Sequence, residues 1–475
     1  MQRLTGLDAT FLYMETPSIH MHVASTCVFD PSTVPGGYSF DKVKQLVEER
    51  LPLLPPFRRV VKPIPFELHH PLWLEDPHFD LDYHVRRAAL PAPGGPVELA
   101  EFAAEAMSRP LDRTRPLWEM YVVEGLENGY IATVTKVHHS AIDGVSGAEL
   151  TVNLLDLQPE PAPVPESETP WEPDRIPSDI ELVGFAISSL IRQPVLGFKA
   201  MRRTVETVLN TRRRNRQPDI TPPPGFFSAP RSSINGSITP WRRFAFTEVS
   251  LDDIKMVKNA LGGTVNDVVL ALCSGALRQY FGDRGETLES SLQAMVPISV
   301  RTEDQKGAMG NQVSSLLVSL ASDIDDPVER LRAISQGSTG AKEQEKAISA
   351  ATLTSEWAEF AAPALAARAA RLYSRTKMAD RTRPLFNVTI SNVPGPNFPL
   401  YSAGARMVAM YPMGPIMDGG ALNITVMSYM GSVYFGLVAD RDAVPEVWNI
   451  ARHVDAALVE LKKAADRHTG ATTSA

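Results

Sequence analysis

The stretch LQPEPAPVPESETPWEPDRIPS, residues 157–178, sets the first limit on how this chain folds. Proline removes backbone donors and fixes φ, and the glutamates add charge, so this is linker composition that cannot form a packed core. It splits a 475-residue chain into parts of ordinary domain size. With 44% hydrophobic and 21% charged residues, there is enough apolar material for a core on each side. The expected division is an N-terminal domain over 1–156, the linker, a helical and irregular connector over 179–240, a C-terminal domain over 241–467, and a disordered tail over 468–475.

Each part alternates strand and helix signals, which makes both mixed α/β. In the first, SIHMHVASTCVF has strand composition. SFDKVKQLVEERLPLL sets Val43, Leu46, Val47 and Leu51 on one helical face, and PVELAEFAAEAMSRP begins a helix at Pro96. WEMYVVEGLENGYIATVTKVHH reads as a hairpin turning at Asn128-Gly129. In the second, Ser250 caps a helix that Gly262 ends, and TVNDVVLALCSGALRQYF is another helix. LQAMVPISVR, LFNVTISNVP, ARMVAMYP, ALNITVMSYM and SVYFGLVAD are strands of that domain, and an amphipathic helix from Val447 to Leu461 closes it.

A net charge of −8 argues against a general nucleic-acid binder. Cys27 and Cys273 lie in separate apolar runs and read as buried free thiols. The first residues carry Asp8 and Glu15 and lack the apolar run of a signal peptide. No uninterrupted apolar run reaches the ~18 residues of a membrane span. A soluble or peripheral cytoplasmic protein is the expectation.

The stretch VTKVHHSAIDGVSG, 134–147, ends a strand and opens the way to a helix. His138 and His139 then point to opposite faces, so the two cannot easily share one metal, and no Cys or His cluster elsewhere completes a ligand set. Asp143 reads as a helix N-cap and Gly144 as easing the turn. Thr264 and Asp267 form a capping box around Asn266, which is either structural or a ligand-orienting group at a helix N-terminus. Ser391 and Asn392 end a strand before Pro394-Gly395 and are candidate donors to a ligand. The Met-rich run RMVAMYPMGPIMDGG suits either an adaptable pocket or ordinary core. Pro116, Leu117 and Trp118 suit core packing or substrate contact equally.

HHSAIDG matches the HHxxxDG motif of the CoA-dependent acyltransferase superfamily. With LDATFLYMETPSIHMHV, DRTRPLWEMYVVEGL, GGTVNDVVLALCSGALRQYF, VPISVR and ISNVPGP in this order, the chain resembles the bacterial wax ester synthase/acyl-CoA:diacylglycerol acyltransferase family from about Leu4 to Leu461. The resemblance implies two chloramphenicol-acetyltransferase-like α/β domains with mixed sheets and an active site in a tunnel at their interface. It implies that His139 is the general base, His138 supports it, and Asp143 is structural, pairing with an arginine. Arg58 is nominated for that pairing, with Arg59 as its rival. Acyl-CoA and a lipid alcohol such as diacylglycerol or a long-chain alcohol are the implied substrates, with no metal and no cofactor beyond acyl-CoA itself. A condensation-type enzyme with another acceptor, or a lipid-binding homologue without catalysis, are the alternatives. Peripheral attachment to the inner membrane or to lipid droplets follows from such substrates. Its candidate segment is 180–216, with Leu182, Phe185, Ala186 and Leu190 as the apolar face and Arg212, Arg213, Arg214 and Arg216 as the basic flank. Acyl chain length, acceptor and oligomeric state are not legible.

Overall fold

The computed structural model describes residues 2–142, 153–160, 174–190, 202, 227–299, 313–348 and 363–473. In chain order the first part has β1 (Gln2–Arg3), α1 (Gly6–Met14), β2 (His22–Asp30), α2 (Phe40–Arg50), β3 (Arg59–Lys62) and β4 (Leu72–Glu75). It continues with α3 (Leu81–His84), β5 (Val85–Ala89), α4 (Pro96–Ser108), β6 (Trp118–Glu124) and β7 (Ile131–His138). The connector holds α5 (Asp179–Leu190). The second part has β8 (Arg242–Ser250), α6 (Leu251–Leu261), α7 (Val265–Asp283), β9 (Gln293–Ser299), β10 (Val313–Ser319), α8 (Pro327–Ile348) and α9 (Pro363–Arg375). It ends with β11 (Val388–Val393), β12 (Tyr401–Ser402), β13 (Ala405–Met413), β14 (Leu422–Tyr429), β15 (Ser432–Asp440) and α10 (Val447–Thr473).

Two six-stranded mixed sheets carry the fold, in the orders β12-β13-β2-β7-β6-β5 and β10-β9-β11-β14-β15-β8. A small third sheet joins β1, β4 and β3. The hairpin β6–β7 turns where Asn128 and Gly129 both take positive φ, as that dipeptide allows. Ser250 and Thr264 cap α6 and α7, and Gly262 ends α6 at φ +91°. Cys27 and Cys273 are buried free thiols, each pushed up to about 12 by burial.

Two expectations need correction. The strand ARMVAMYP belongs to the first sheet: β13 pairs antiparallel with β2, setting Met410 beside Cys27 and Pro412 beside Ser25. Its partner is chosen by an edge that would otherwise leave a row of unpaired backbone groups on β2, which nothing local to β13 reveals. The tail is also more ordered than expected, since α10 runs through Thr473. The helix is already nucleated by its packed turns, and propagation adds one bond per residue; Thr469 reinforces it by donating its hydroxyl to the Ala465 carbonyl. The linker residues 161–173 lie outside the described residues.

The back face of β7 packs on α4. There Lys136 is 1% exposed, and its Nζ donates to the carbonyls of Ala106 and Arg109 at the C-terminal end of that helix, 3.4 Å from Glu119. A cation is well placed against those unsatisfied carbonyls and the negative end of the helix dipole. Where β13 crosses the second sheet, Phe246 stacks on Tyr411 at 4.0 Å. Gly436 of β15 lies against the Pro412 carbonyl there, and a Cβ on Gly436 would stand 1.7 Å from that oxygen. Gly436→Ala should therefore force the sheets apart and cost about 1–3 kcal/mol, read as a lower urea midpoint with an unchanged m-value.

Candidate active site

Strand β7 delivers the histidines. Its ladder with β2 ends at the pair His22–His138, after which the His139 N–H donates to the Met21 carbonyl at 2.8 Å. The pleat sends the two rings to opposite sides, as the extended backbone requires.

His138 is 1% exposed. The Ser140 backbone N–H donates to its Nδ1 at 3.0 Å, and the Ser140 Oγ lies 2.7 Å from the same atom. A backbone N–H only donates, so Nδ1 is the acceptor and the ring proton sits on Nε2. Nε2 faces Glu15 Oε1 at 3.7 Å, and Glu15 is paired with Arg113. Burial, then the charge of Arg113, holds the His138 pKa well below the usual range, so the ring is neutral. His138 is thus a clamp on the turn that presents His139.

The His139 ring is half-buried and stacks on Phe11 of α1, centroids 4.2 Å apart and planes 12° apart, which fixes its orientation. It opens onto a cavity of about 600 Å³ between the two large sheets. Thr133, Thr135, Val137 and His139, alternate residues of β7, all line it. From the second half of the chain come Asn266, in the first turn of α7, and Ser391 and Asn392 of β11. Asn392 Nδ2 donates to Asn266 Oδ1 at 3.3 Å, an amide orientation that leaves the Asn266 Nδ2 as a donor for a ligand. A second cavity of about 620 Å³, lined in part by Glu15, His20 and Arg113, lies on the His138 side of the strand.

The structure thus gathers His139, Asn266, Ser391 and Asn392 around one space. It separates out Asp267, whose carboxylate completes the capping box and accepts from Ser335 and Ser338. Burial raises the Asp267 pKa, but those hydrogen bonds outweigh it and the net shift is downward. Trp118 is core: it is fully buried, donates to the Phe57 carbonyl at 2.8 Å and stacks on Phe57 and His84. The Met-rich run divides, with Met410, Met413 and Met417 on the cavity and Met407 in the core. Arg58 lies 3.8 Å from Glu75, whereas its rival Arg59 holds Glu75 at 3.0 Å. Asp143 and Gly144 lie outside the described residues. Phe11 and the cavity strand of Thr133, Thr135 and Val137 were not singled out from sequence, although counting back by twos from His139 finds the latter.

Similarity to known proteins fits this arrangement. A starter condensation domain of a rhizomide synthetase shares the fold at 13% identity, with a TM-score of 0.54 over 98% of this chain and 94% of its own. A trichothecene 15-O-acetyltransferase from Fusarium sporotrichioides does so at 12% identity, with a TM-score of 0.59 over 97% and 94%. The two-sheet architecture with a cavity at the sheet interface therefore places the chain in the fold class of condensation domains and O-acetyltransferases. Residues 4–269 match the model of the wax ester synthase/diacylglycerol acyltransferase catalytic domain, and 309–462 match the C-terminal domain of the same family. A Mycobacterium tuberculosis protein named as a diacylglycerol O-acyltransferase is 39% identical over 468 residues, 98% of this chain and 91% of the relative. The solved wax ester synthase/diacylglycerol acyltransferase of Marinobacter aquaeolei is 32% identical, with a TM-score of 0.66 over 98% of this chain and 100% of that one. The chain belongs to the wax ester synthase/diacylglycerol acyltransferase family, and it is an acyltransferase.

The buried histidines behind the site make stability depend on pH. Burial lowers His20 to about 4 and holds His22 well below its usual range. The unfolded chain takes up these protons near pH 6.5 while the native state does not, so stability falls as pH drops below 6.5. For His20 the loss continues down to its folded value of about 4. Each such histidine adds a slope of about 1.4 kcal/mol per pH unit at most. In urea titrations at stepped pH, His22→Gln should show a shallower acid slope than the wild type; equal slopes would rule out a buried neutral His22.

Proposed function

We propose that this chain moves a long-chain acyl group from acyl-CoA to the hydroxyl of diacylglycerol or of a long-chain alcohol, with His139 as the general base. The observation that carries this is an oriented imidazole opening on a large, mainly apolar cavity shared by both sheets. A neutral imidazole takes the alcohol proton as the oxygen attacks the thioester carbonyl. The Asn266 Nδ2, at the N-terminus of α7, is placed to donate to the developing oxyanion. Collapse expels the CoA thiolate, which takes the proton back from His139. Cys27 shares the cavity but does not compete as a nucleophile, because its thiol is pushed up to about 12 and stays protonated at neutral pH. We read Asp143, held by Arg58, as fixing the loop after His139, with Gly144 allowing close approach. The reaction so written consumes acyl-CoA as co-substrate and calls on no further cofactor. The solved rhizomide synthetase domain of this fold was captured in complex with C8-CoA, which supports acyl-CoA as donor.

Thiol release from palmitoyl-CoA with a panel of diacylglycerol, hexadecanol, amine and carrier-bound acceptors tests the assignment, the last two representing a condensation-type activity. His139→Ala should lower the rate by about 10²–10⁴-fold with an unchanged circular dichroism spectrum. His138→Ala should act mainly on stability, because it removes the clamp on the turn. A His139→Ala enzyme within a few-fold of wild type refutes the general-base role.

Such substrates sit in lipid, so peripheral contact with the cytoplasmic face of the membrane or with lipid droplets belongs to the same reading. No single helix among the described residues is long and apolar enough to cross a membrane. The face expected on α5 is revised: Leu182 and Ala186 pack against Ile64, Leu72 and Leu74 of the neighbouring turn and sheet. The outward side carries Ile180, Phe185 and Ile187, and Phe66 is exposed on the turn that α5 touches. The basic flank 212–216 lies outside the described residues. Exposed apolar side chains beside cations suit an interfacial contact. Wild type should float with anionic liposomes and less so in high salt. Replacing Ile180 and Ile187 by Ser, or Arg212, Arg213, Arg214 and Arg216 by Gln, should each weaken flotation. A wild type that never floats sinks the peripheral reading.

A further inference from the structure

The cavity has a floor, and strand register sets its depth. The register places Cys27 beside Thr133 and Phe29 beside Ile131, and on the other edge of β2 it places Met410 beside Cys27 and Met407 beside Phe29. Thr133, Cys27, Met410 and Phe29 line the cavity, whereas Ile131 and Met407, the register partners of Phe29, do not. The open space therefore stops between two successive layers of the sheet. With Val23, Val137, Phe29, Met410 and Met413 on its walls, the trough offers mainly carbon to its occupant. Met413, Met417 and Met427 complete a wall that adapts to a flexible chain.

The length of the trough follows from the strand. From His139 back to Thr133 is six residues, and at about 3.4 Å per residue that is roughly 20 Å. A saturated chain with bonds of about 1.5 Å advances about 1.25 Å per carbon when extended, so the trough accepts roughly 16 carbons. We infer that the layer of Thr133, Cys27 and Met410, floored by Phe29, gauges the length of one straight alkyl chain whose reactive end lies at His139. The inference rests on the acyl-transfer reading and adds to it the residues that set the chain length. That chain belongs either to the acyl thioester or to the acceptor, and the chemistry of the trough is the same for both.

The experiment uses the full chain and two graded series. One varies the acyl-CoA from octanoyl to arachidoyl with hexadecanol held fixed; the other varies the alcohol over the same lengths with palmitoyl-CoA held fixed. Each is read by turnover and, separately, by ligand binding in native mass spectrometry. One layer of the sheet is two residues, about 7 Å or roughly five carbons. Cys27→Phe, and independently Thr133→Leu from the facing strand, fill the lowest open layer. Each should shorten the preferred chain by roughly five carbons, with at least a ten-fold loss on palmitoyl-length chains, in one series only; that series identifies the occupant. Phe29→Ala opens the layer below and should lengthen the preference in the same series. If folded Cys27→Phe and Thr133→Leu proteins keep the wild-type profile in both series, the gauge is wrong. If the wild type binds with a length profile that the variants shift, yet turns nothing over, the gauge stands and the acyl-transfer reading fails.

Discussion

The site depends on the two-residue repeat of an extended strand. Along β7, one set of alternate residues, Thr133 to His139, faces the cavity, and the other, Ala132 to His138, packs inward on α4 and its neighbours. At the end of the strand this alternation divides two adjacent histidines into two environments. One is clamped, neutral and buried. The other is stacked on Phe11 and open to substrate space. A slip of one residue in the β2–β7 register would exchange the two faces and place the wrong ring in the cavity. The long, fully paired ladder from His22 to Phe29 is what prevents it.

The cavity is a joint product of both halves of the chain. β13 supplies Met410 and Met413 from within the first sheet, although the chain enters and leaves it through strands of the second. The second half contributes Asn266 from α7 and Ser391 and Asn392 from β11 to the same cavity as His139. Aromatic contacts among Phe246, Tyr411, Tyr434 and Trp448, with Gly436 permitting the close crossing, hold the two sheets at the spacing the cavity needs. The packing that joins the two sheets thus sets the width of the cavity beside it.

Much of this was legible in the residues. Helix caps at Ser250 and Thr264, the turn at Asn128-Gly129 and the opposed histidines follow from local rules of a few residues' range, and each appears where those rules put it. Asn266, Ser391 and Asn392 could be nominated because they sit at element ends, where polar groups are left to face a ligand. What stayed hidden is non-local. The pairing of β13 with β2 spans some four hundred residues, and its strand pattern fits either sheet. Phe11 lies on a helix whose sequence gives no sign that its ring will meet an imidazole. The apolar positions of α5 show that one side is buried, but not that Leu182 and Ala186 meet the small sheet while Ile180 faces out.

The loan of β13 also has a consequence for biosynthesis. A ribosome completes β2, β7 and β6 long before Ala405–Met413 has been made. Through that interval the nascent first sheet carries an open edge on β2, next to the strand that leads into His139. Open edges of this kind invite pairing with other chains. Productive folding therefore requires the early half to remain uncommitted, or to be shielded, until its last strand arrives. A version of this protein cut before residue 405 should fail as a folding unit, and not merely as an enzyme.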